Sequence, residues 1–285
     1  MYLNTLENTT TSQNQYNSFN KRKKFYFKCV DKLIKDKSAS ILICGGGTAD
    51  KVIFQLLGFT NVTISNIDTR IKGDEYFPYN WKFENAESLS FDDETFDFVI
   101  MNAAIHHCSR PHKVLTEIYR VAKVGVLAFE GRDSFISRFL IKMQVSEIYE
   151  CAAVFGNDCK YGGLNNTGIP NYVYRWTERE IEKTIQSFAP YFNHKYIYNY
   201  DFEFPHMFNK LKKVNLKYIF VRIIEPFFIF FTKLFPKQQN LFSFYIEKPN
   251  IKKDLFPWLC LDDNGKIIFN RKWGEEKFKN KENNS

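Results

Sequence analysis

Three consecutive glycines, Gly45-Gly46-Gly47, directly follow the apolar run Ile41-Leu42-Ile43-Cys44. A buried strand that ends in a glycine turn and feeds a helix makes a cradle. A ligand can approach the bare backbone, and the first N–H groups of the helix point into the space. Groups able to hold or activate a ligand follow: Asp50 in the first turn of that helix, Asn66 and Asp68 at the end of a second strand, Asn85-Ala86, Asn102 at the end of a third strand, the pair His106-His107, and Glu130 followed by Arg132 and Asp133. An acidic or amide side chain about 20 residues past a glycine turn suits ribose hydroxyls. Imidazoles and carboxylates are the usual groups for taking a proton from a hydroxyl nucleophile. His106, Cys108 and His112 match none of the compact zinc ligand sets, so no metal is expected. Cys44 lies inside the first strand and reads as core.

The elements that must position these residues alternate. Residues 21–37 read as a helix with Phe25, Cys29 and Leu33 at spacing four. Ile41–Cys44 is a strand; Val52, Ile53, Leu56 and Leu57 mark a helix that ends before Gly58. Asn61–Asp68 and Phe96–Met101 are strands, Pro111 opens a helix with Val114, Leu115, Ile118, Tyr119 and Ala122 on one face, and Val124–Glu130 is a strand. Strand and helix in this rhythm mean a parallel sheet with helices on both faces. The rhythm breaks near Gly131. Residues 132–175 read as an irregular insertion, Thr177 with Glu180 as a capping box, and His194–Tyr200 and Leu241–Glu247 as strands. Between those strands Leu211, Val214, Tyr218, Val221 and Ile224 form a helical stripe that Pro226 is expected to break.

The cradle separates two ligand classes. The dinucleotide fingerprint G-x-G-x-x-G calls for a glycine where Asp50 stands, and a carboxylate there repels a pyrophosphate. S-adenosylmethionine carries no phosphate and is cationic at its ammonium and sulfonium, so it tolerates the acid. The run Asn85-Ala86-Glu87-Ser88-Leu89-Ser90-Phe91, then Phe96-Asp97-Phe98-Val99, His106-His107, and Glu117-Ile118-Tyr119-Arg120-Val121-Ala122-Lys123 follow in order. Over residues 41–131 this order resembles the class I S-adenosylmethionine-dependent methyltransferases of the group called methyltransferase type 11. The resemblance implies an α/β fold: a Rossmann-like, seven-stranded, mostly parallel sheet with helices on both faces and an antiparallel last strand. It implies S-adenosylmethionine as cofactor, held by Gly45, Gly46, Gly47, Asp50, Asn66, Asp68, Asn85, Ala86 and Asn102. The sequence departs from the family pattern at Ile43, where an acid is usual, at Ala49, where a third glycine is usual, and at Asn85, where an aspartate meets the adenine edge. The strand-two acid aligns with Asn66 or Asp68, depending on one gap.

In open α/β sheets the ligand lies outside the carboxyl ends of the strands. There His107, His106, Glu130 and Asp133 are the candidate catalytic groups, and methyl transfer needs nucleophile, methyl and sulfur held in line. Asn102-Ala103-Ala104-Ile105 lacks the Asn-Pro-Pro-Tyr of enzymes that methylate adenine or glutamine nitrogens. Arg175-Trp176 is either an acceptor clamp or a charged helix start with Trp packed beneath it.

The chain has 285 residues, a net charge of +8 and 44% apolar residues, enough for a sizeable core and too ordinary for wholesale disorder. Residues 41–131 hold eight Lys/Arg against twelve Asp/Glu; residues 21–37 hold eight against two, and residues 207–240 seven against one. Basic flanks around an acidic middle suit anionic lipid or glycan as well as a merely compositional origin. The first 20 residues carry no secretory signal, and the six cysteines form no CxxC pair, so a reducing cytoplasm is expected. Four segments are expected: a polar N-terminus (1–20), a cofactor-binding core (21–131), a completion of the sheet (132–247) with acceptor-site insertions at 132–175 and 203–239, and a C-terminal extension (248–285). The expected function is methyl transfer, at oxygen, to a small-molecule, saccharide or lipid-linked acceptor in a bacterial enzyme. The alternative is an inactive methyltransferase-like scaffold or regulator. Nucleic acid is not an expected partner. Segment 210–236, with Lys210, Lys212, Lys213, Lys217 and Arg222 beside Phe227-Phe228-Ile229-Phe230-Phe231, reads as a lid over the acceptor or as a peripheral contact with the inner membrane face.

Overall fold

The computed structural model describes residues 15–203 and 216–279. Strands β1 (Ile41–Cys44), β2 (Val62–Asn66), β3 (Asn80–Phe83), β4 (Phe96–Asn102), β5 (Ala122–Gly131), β6 (Lys195–Asp201) and β7 (Leu241–Glu247) form one sheet in the order β3-β2-β1-β4-β5-β7-β6. β1 to β5 pair in parallel, and β7 runs antiparallel to both β5 and β6. This is the sheet the resemblance implies.

Alternate residues of the central strands feed two cores. Leu42, Val99, Val126 and Phe244 face one cluster with the helix α3 (Pro111–Val121) and α6 (Glu178–Phe188). Ile41, Ile43, Ile64, Ile100 and Leu127 face the other, with α1 (Lys21–Leu33) and α2 (Thr48–Leu56). Near-continuous apolar strands buried on both faces are what a parallel sheet under two helical layers requires.

Local signals explain most boundaries. Pro111 stands at the first turn of α3, and Gly58, at φ +78°, follows α2. Thr177 and Glu180 close the capping box of α6 reciprocally. Helix α1 stops at Leu33, short of the expected 37, because the Asp36 carboxylate takes the Ser38 N–H and hydroxyl and folds the chain into a turn. Its buried residues are Tyr26, Cys29 and Val30 rather than the Phe25–Cys29–Leu33 row. The edge strand β3 was not expected; its residues Asn80 to Phe83 are mostly exposed and show no period. The insertion 132–175 holds two short helices, α4 (Phe135–Lys142) and α5 (Cys151–Phe155), where only irregular chain was expected.

The expectation at Pro226 is not met. Helix α7 (Leu216–Leu234) runs through it. A helical proline forfeits one N–H bond and crowds the preceding turn, yet Phe228 still packs against the cluster of Ile136, Leu140, Val145 and Phe202, and Thr232 is buried. Leu211, Val214, Lys210, Lys212 and Lys213 lie outside the described residues, as do residues 1–14 of the polar N-terminus. Within that N-terminus, Phe19 is buried and the Asn20 side chain caps α1. Past β7, a hairpin of β8 (Leu259–Leu261) and β9 (Ile267–Phe269) precedes α8 (Arg271–Phe278). Among the described residues no helix is long and apolar enough to cross a membrane.

Candidate functional site

The glycine turn leaves β1 at Gly45, whose φ of +65° suits glycine. A Cβ on Gly45 would come within 2.8 Å of the Ala104 Cβ, and one on Gly46 within 2.8 Å of Ile64 and 2.9 Å of Ile43. Those two glycines are therefore required by packing. A Cβ on Gly47 would meet nothing within 4 Å, so the open side of the cradle lies over that residue. Asp50 is buried beneath the turn. One carboxylate oxygen accepts the Gly47 N–H at 2.8 Å and the other the Tyr26 hydroxyl at 2.8 Å. Burial raises its pKa against the pull of those donors. Both oxygens hold the turn from within.

Asn66 ends β2. Its amide donates to the Gly46 carbonyl at 2.9 Å and its oxygen accepts the Asp68 N–H at 3.0 Å, so it ties the turn to the next loop. Asp68 is bound by Arg70, at 2.5 Å to Nη2, which together with a bond from Asn166 lowers its pKa. The Arg70 guanidinium in turn lies 3.9 Å from the Tyr161 ring centroid, and Asn165 bonds Ser109. The 157–169 loop thus spans from the β2 end to the β4 end. Gly163 and Gly168 let it close on itself, since a Cβ there would strike the carbonyls of Ile169 and Cys159. After β3, Asn85 is exposed, its oxygen accepting the Glu87 N–H, while Ala86 is buried in the core.

The acidic and basic residues of the motif region act as staples. Glu87 accepts the Arg110 N–H at 3.0 Å and its Nε at 2.6 Å, at the start of α3. Arg120 reaches the Leu89 and Phe91 carbonyls, Asp93 and Glu117.

Across the sheet, the ends of β4 and β5 open on a cleft of about 450 Å³, with Asn102, His106, Glu130, Glu150 and Arg175 on its polar side and Phe25, Leu140 and Val145 on its apolar side. Ala103, at φ +51°, turns the chain out of β4 into a single 3-10 turn that carries the two histidines. His106 is buried, its Nδ1 2.5 Å from Glu130 and its Nε2 3.4 Å from Glu150. The Nε2 of the half-buried His107 lies 3.0 Å from the other Glu150 oxygen. The second Glu130 oxygen accepts the Ile105 N–H at 2.8 Å. Burial would lower the His106 pKa, but the Glu130 carboxylate, aided by Glu150, holds it at about 10. For Glu150, burial is likewise outweighed by the bonds from His106 and His107, which hold its carboxyl well below the usual range. Asn171, itself buried, donates to the His106 carbonyl at 3.1 Å and accepts the Glu150 N–H on its own carbonyl.

His106, His107 and Glu130 therefore come together, with Asn102 beside them. Asp133 does not line the cleft; it faces Arg138 at 3.4 Å. Trp176 is fully buried against His112 and Tyr174, a packing role, whereas Arg175 enters the cleft wall, its Nη2 on Ser146 and the Glu147 carbonyl. Cys108 bonds Ala104, and His112 turns toward aromatic rings, so neither joins His106. Glu150 and Asn171 were missed. Nothing in their sequence neighbourhood marks them, because the insertion brings them to the histidines only in three dimensions. His106, His107 and Glu150 together could hold a metal ion.

Residues 44–129 match the family described as a methyltransferase domain. The ubiquinone/menaquinone biosynthesis C-methyltransferase UbiE of Zymomonas mobilis is 36% identical over 104 residues, covering 33% of this chain and 43% of that protein. The mitochondrial 2-methoxy-6-polyprenyl-1,4-benzoquinol methylase of Caenorhabditis elegans is 31% identical over 102 residues, covering 31% of this chain and 35% of that protein. The chain thus spans less than half the length of these curated relatives. Among solved structures, an S-adenosylmethionine-dependent methyltransferase from Archaeoglobus fulgidus is 12% identical, with a TM-score of 0.46 over 79% of this chain and 94% of that one.

Proposed function

We propose that this chain, whose core is an S-adenosylmethionine-dependent methyltransferase domain of class I, transfers a methyl group to an oxygen of a lipid-linked small molecule. One observation carries the choice of acceptor: the apolar wall of the cleft is shared with a helix whose outer face is bare and apolar. Leu140 and Val145 line the cleft and also form the cluster on which Phe228 of α7 packs. On the outer side of α7, Ile223, Phe227, Phe230 and Leu234 are each 60% exposed or more. Their spacing of four, three and four puts them on one helical face. Such a stripe suits insertion at a membrane surface, and its neighbour is the acceptor cleft. The two quinone-pathway relatives, one named for a polyprenyl substrate, support the lipid-linked arm of the expectation.

When bound, S-adenosylmethionine supplies an electrophilic methyl group on a sulfonium. The residues present fit it: the cradle is open over Gly47, where a side chain would fill the space, and an exposed amide, Asn85, stands at the β3 end. Asn102, at the β4 end, lies between cradle and cleft. On the acceptor side, His106, Glu130 and Glu150 hold the acceptor oxygen, the half-buried His107 beside them receives its proton, and Arg175 closes the wall. Leu140 and Val145 exclude water from the apolar part. Fixing the acceptor in line with the methyl group is where most of the acceleration arises.

The test uses methyl-labelled S-adenosylmethionine with a lipid extract and, separately, with the water-soluble metabolites of the same cells. Label that partitions into the organic phase, and that Arg175→Ala reduces, is the expected result. Label found only in water-soluble products would overturn the lipid-linked acceptor. No binding of S-adenosylmethionine by calorimetry would favour the scaffold instead.

A further inference from the structure

The insertion brings a third ligating group to the histidine pair, and this juxtaposition has a chemistry of its own. We infer that His106, His107 and Glu150 form a binding site for a divalent transition-metal ion at the polar end of the cleft. The two imidazole Nε2 atoms and the Glu150 oxygens converge. His106 Nε2 is 3.4 Å from one oxygen and His107 Nε2 is 3.0 Å from the other. One ligand atom from each of the three residues lies within 4.8 Å of the other two. A metal ion would displace the ring proton that His106 shares with Glu150, leaving two imidazoles and one carboxylate, a three-ligand set with coordination positions to spare.

The surroundings are those of a ligand set. The Nδ1 of His106 lies 2.5 Å from Glu130, whose other oxygen is fixed by the Ile105 N–H at 2.8 Å. A carboxylate on the second ring nitrogen fixes the tautomer and aims the first nitrogen at the metal. Asn171 braces both sides of the site, through the His106 carbonyl and the Glu150 N–H. His107 presents its Nε2 to the remaining oxygen of the same carboxylate, so both rings meet one side chain. The donor set of two nitrogens and one carboxylate suits zinc, cobalt, nickel or iron better than magnesium or calcium, which take mainly oxygen. His106 and Glu150 both line the cleft, so an ion held by them would be reached from it. Resting on the acceptor reading above, an acceptor oxygen would take an open position on that ion; the metal site itself stands without that reading.

The probe is Co²⁺, added to the full chain after dialysis against a chelator. A single equivalent giving visible absorption bands that Zn²⁺ abolishes is the expected result. His107→Ala and Glu150→Ala should lose the bands. Glu130→Gln should weaken Co²⁺ binding roughly 10- to 100-fold, the usual effect of removing such an outer carboxylate. His112→Ala, outside the cluster, should leave binding unchanged. Circular dichroism confirms that each variant is folded; His107 is half-buried, so its variant keeps the test open if a Glu150 variant does not fold. Absent bands in excess Co²⁺, or the same bands in His107→Ala and Glu150→Ala, would overturn the site. Co²⁺ bound at the site without any methyl transfer to lipid would count against the acceptor reading and leave the metal site standing.

Discussion

Gly46 and Gly47 are neighbours in one turn, yet adding a side chain should have opposite consequences. A Cβ on Gly46 would sit 2.8 Å from the Ile64 Cγ2 and 2.9 Å from the Ile43 Cγ2, both in side chains with no solvent exposure. Neither methyl has room to retreat, because the two isoleucines are packed between β1, β2 and α2. Overpacking of this kind costs about 1–3 kcal/mol. A chain of this size shifts in Tm by roughly 2–4 °C for each kcal/mol, so Gly46→Ala should lower Tm by roughly 2–12 °C. At Gly47 a Cβ would meet nothing within 4 Å, and the residue is already extended, at φ −142°. Gly47→Val should therefore keep Tm within a few degrees, since β-branched residues accept extended backbone. Its methyl groups would instead fill the cradle and lower S-adenosylmethionine affinity by ~100-fold, equivalent to about 2.7 kcal/mol. Thermal melts and calorimetric titration of both variants, with Gly46→Ala titrated well below its Tm, read the two effects apart. A Gly47→Val protein that binds S-adenosylmethionine as tightly as the parent would refute the placement of the cofactor over this turn.

Arg120→Ala removes the donor that ties the 89–93 loop to α3. Its side chain is 23% exposed and one partner, Asp93, is 75% exposed, so the loss should be held to about 1–3 kcal/mol and read as a lower Tm without altered cofactor affinity in the folded protein. His194 Nε2 lies 2.8 Å from the Tyr119 hydroxyl, and burial lowers its pKa below the ordinary 6.5. It is neutral in the fold while the unfolded chain takes up a proton, so stability present above about pH 6.5 should decline as pH falls through that value toward the lower folded pKa, by at most about 1.4 kcal/mol per pH unit; His194→Gln should flatten that limb in denaturant titrations between pH 7 and pH 5. Phe227→Ser with Phe230→Ser should abolish co-sedimentation with anionic vesicles while S-adenosylmethionine binding persists; vesicle binding equal to the parent would remove α7 from any membrane role.

The sheet was legible because its central strands are short apolar runs bounded by glycine, proline and caps, and because α3 and α6 carry strong apolar faces behind Pro111 and Thr177. Where the sequence was silent, pairing energy came from elsewhere. Asn80 to Phe83 form β3 through backbone bonds to β2 and the packing of Trp81 against one core, and an exposed edge strand needs no alternation. α7 passes through Pro226 because one lost hydrogen bond is small beside the packing of Phe228 on the insertion and the burial of Thr232. Local propensity is a weak prior wherever tertiary contacts decide.

The candidate site divides in the same way, and the division separates motif from chemistry. The residues that carried the resemblance, Glu87, Glu117 and Arg120, hold loops, and Asp50 holds the glycine turn; the Asp50 bond spans three residues, whereas Glu87 reaches Arg110 across 23 and Arg120 reaches Phe91 across 29. Such staples leave a readable order along the chain because their spacing is fixed by the strand and helix between them. Glu150 and Arg175 have no such constraint. They lie in an insertion whose length the sheet does not dictate, and their meaning depends on meeting His106 and the β5 end in space. A sequence pattern can therefore announce the cradle and leave the acceptor end silent, which is where one methyltransferase differs from another. The consequence is testable within this chain. Changing Glu87 to Ala should cost stability, through the exposed start of α3, and spare the choice of acceptor. Changing Glu150 to Ala should leave S-adenosylmethionine binding intact and lower or redirect methyl transfer, because its side chain touches the histidines and none of the residues of the glycine turn.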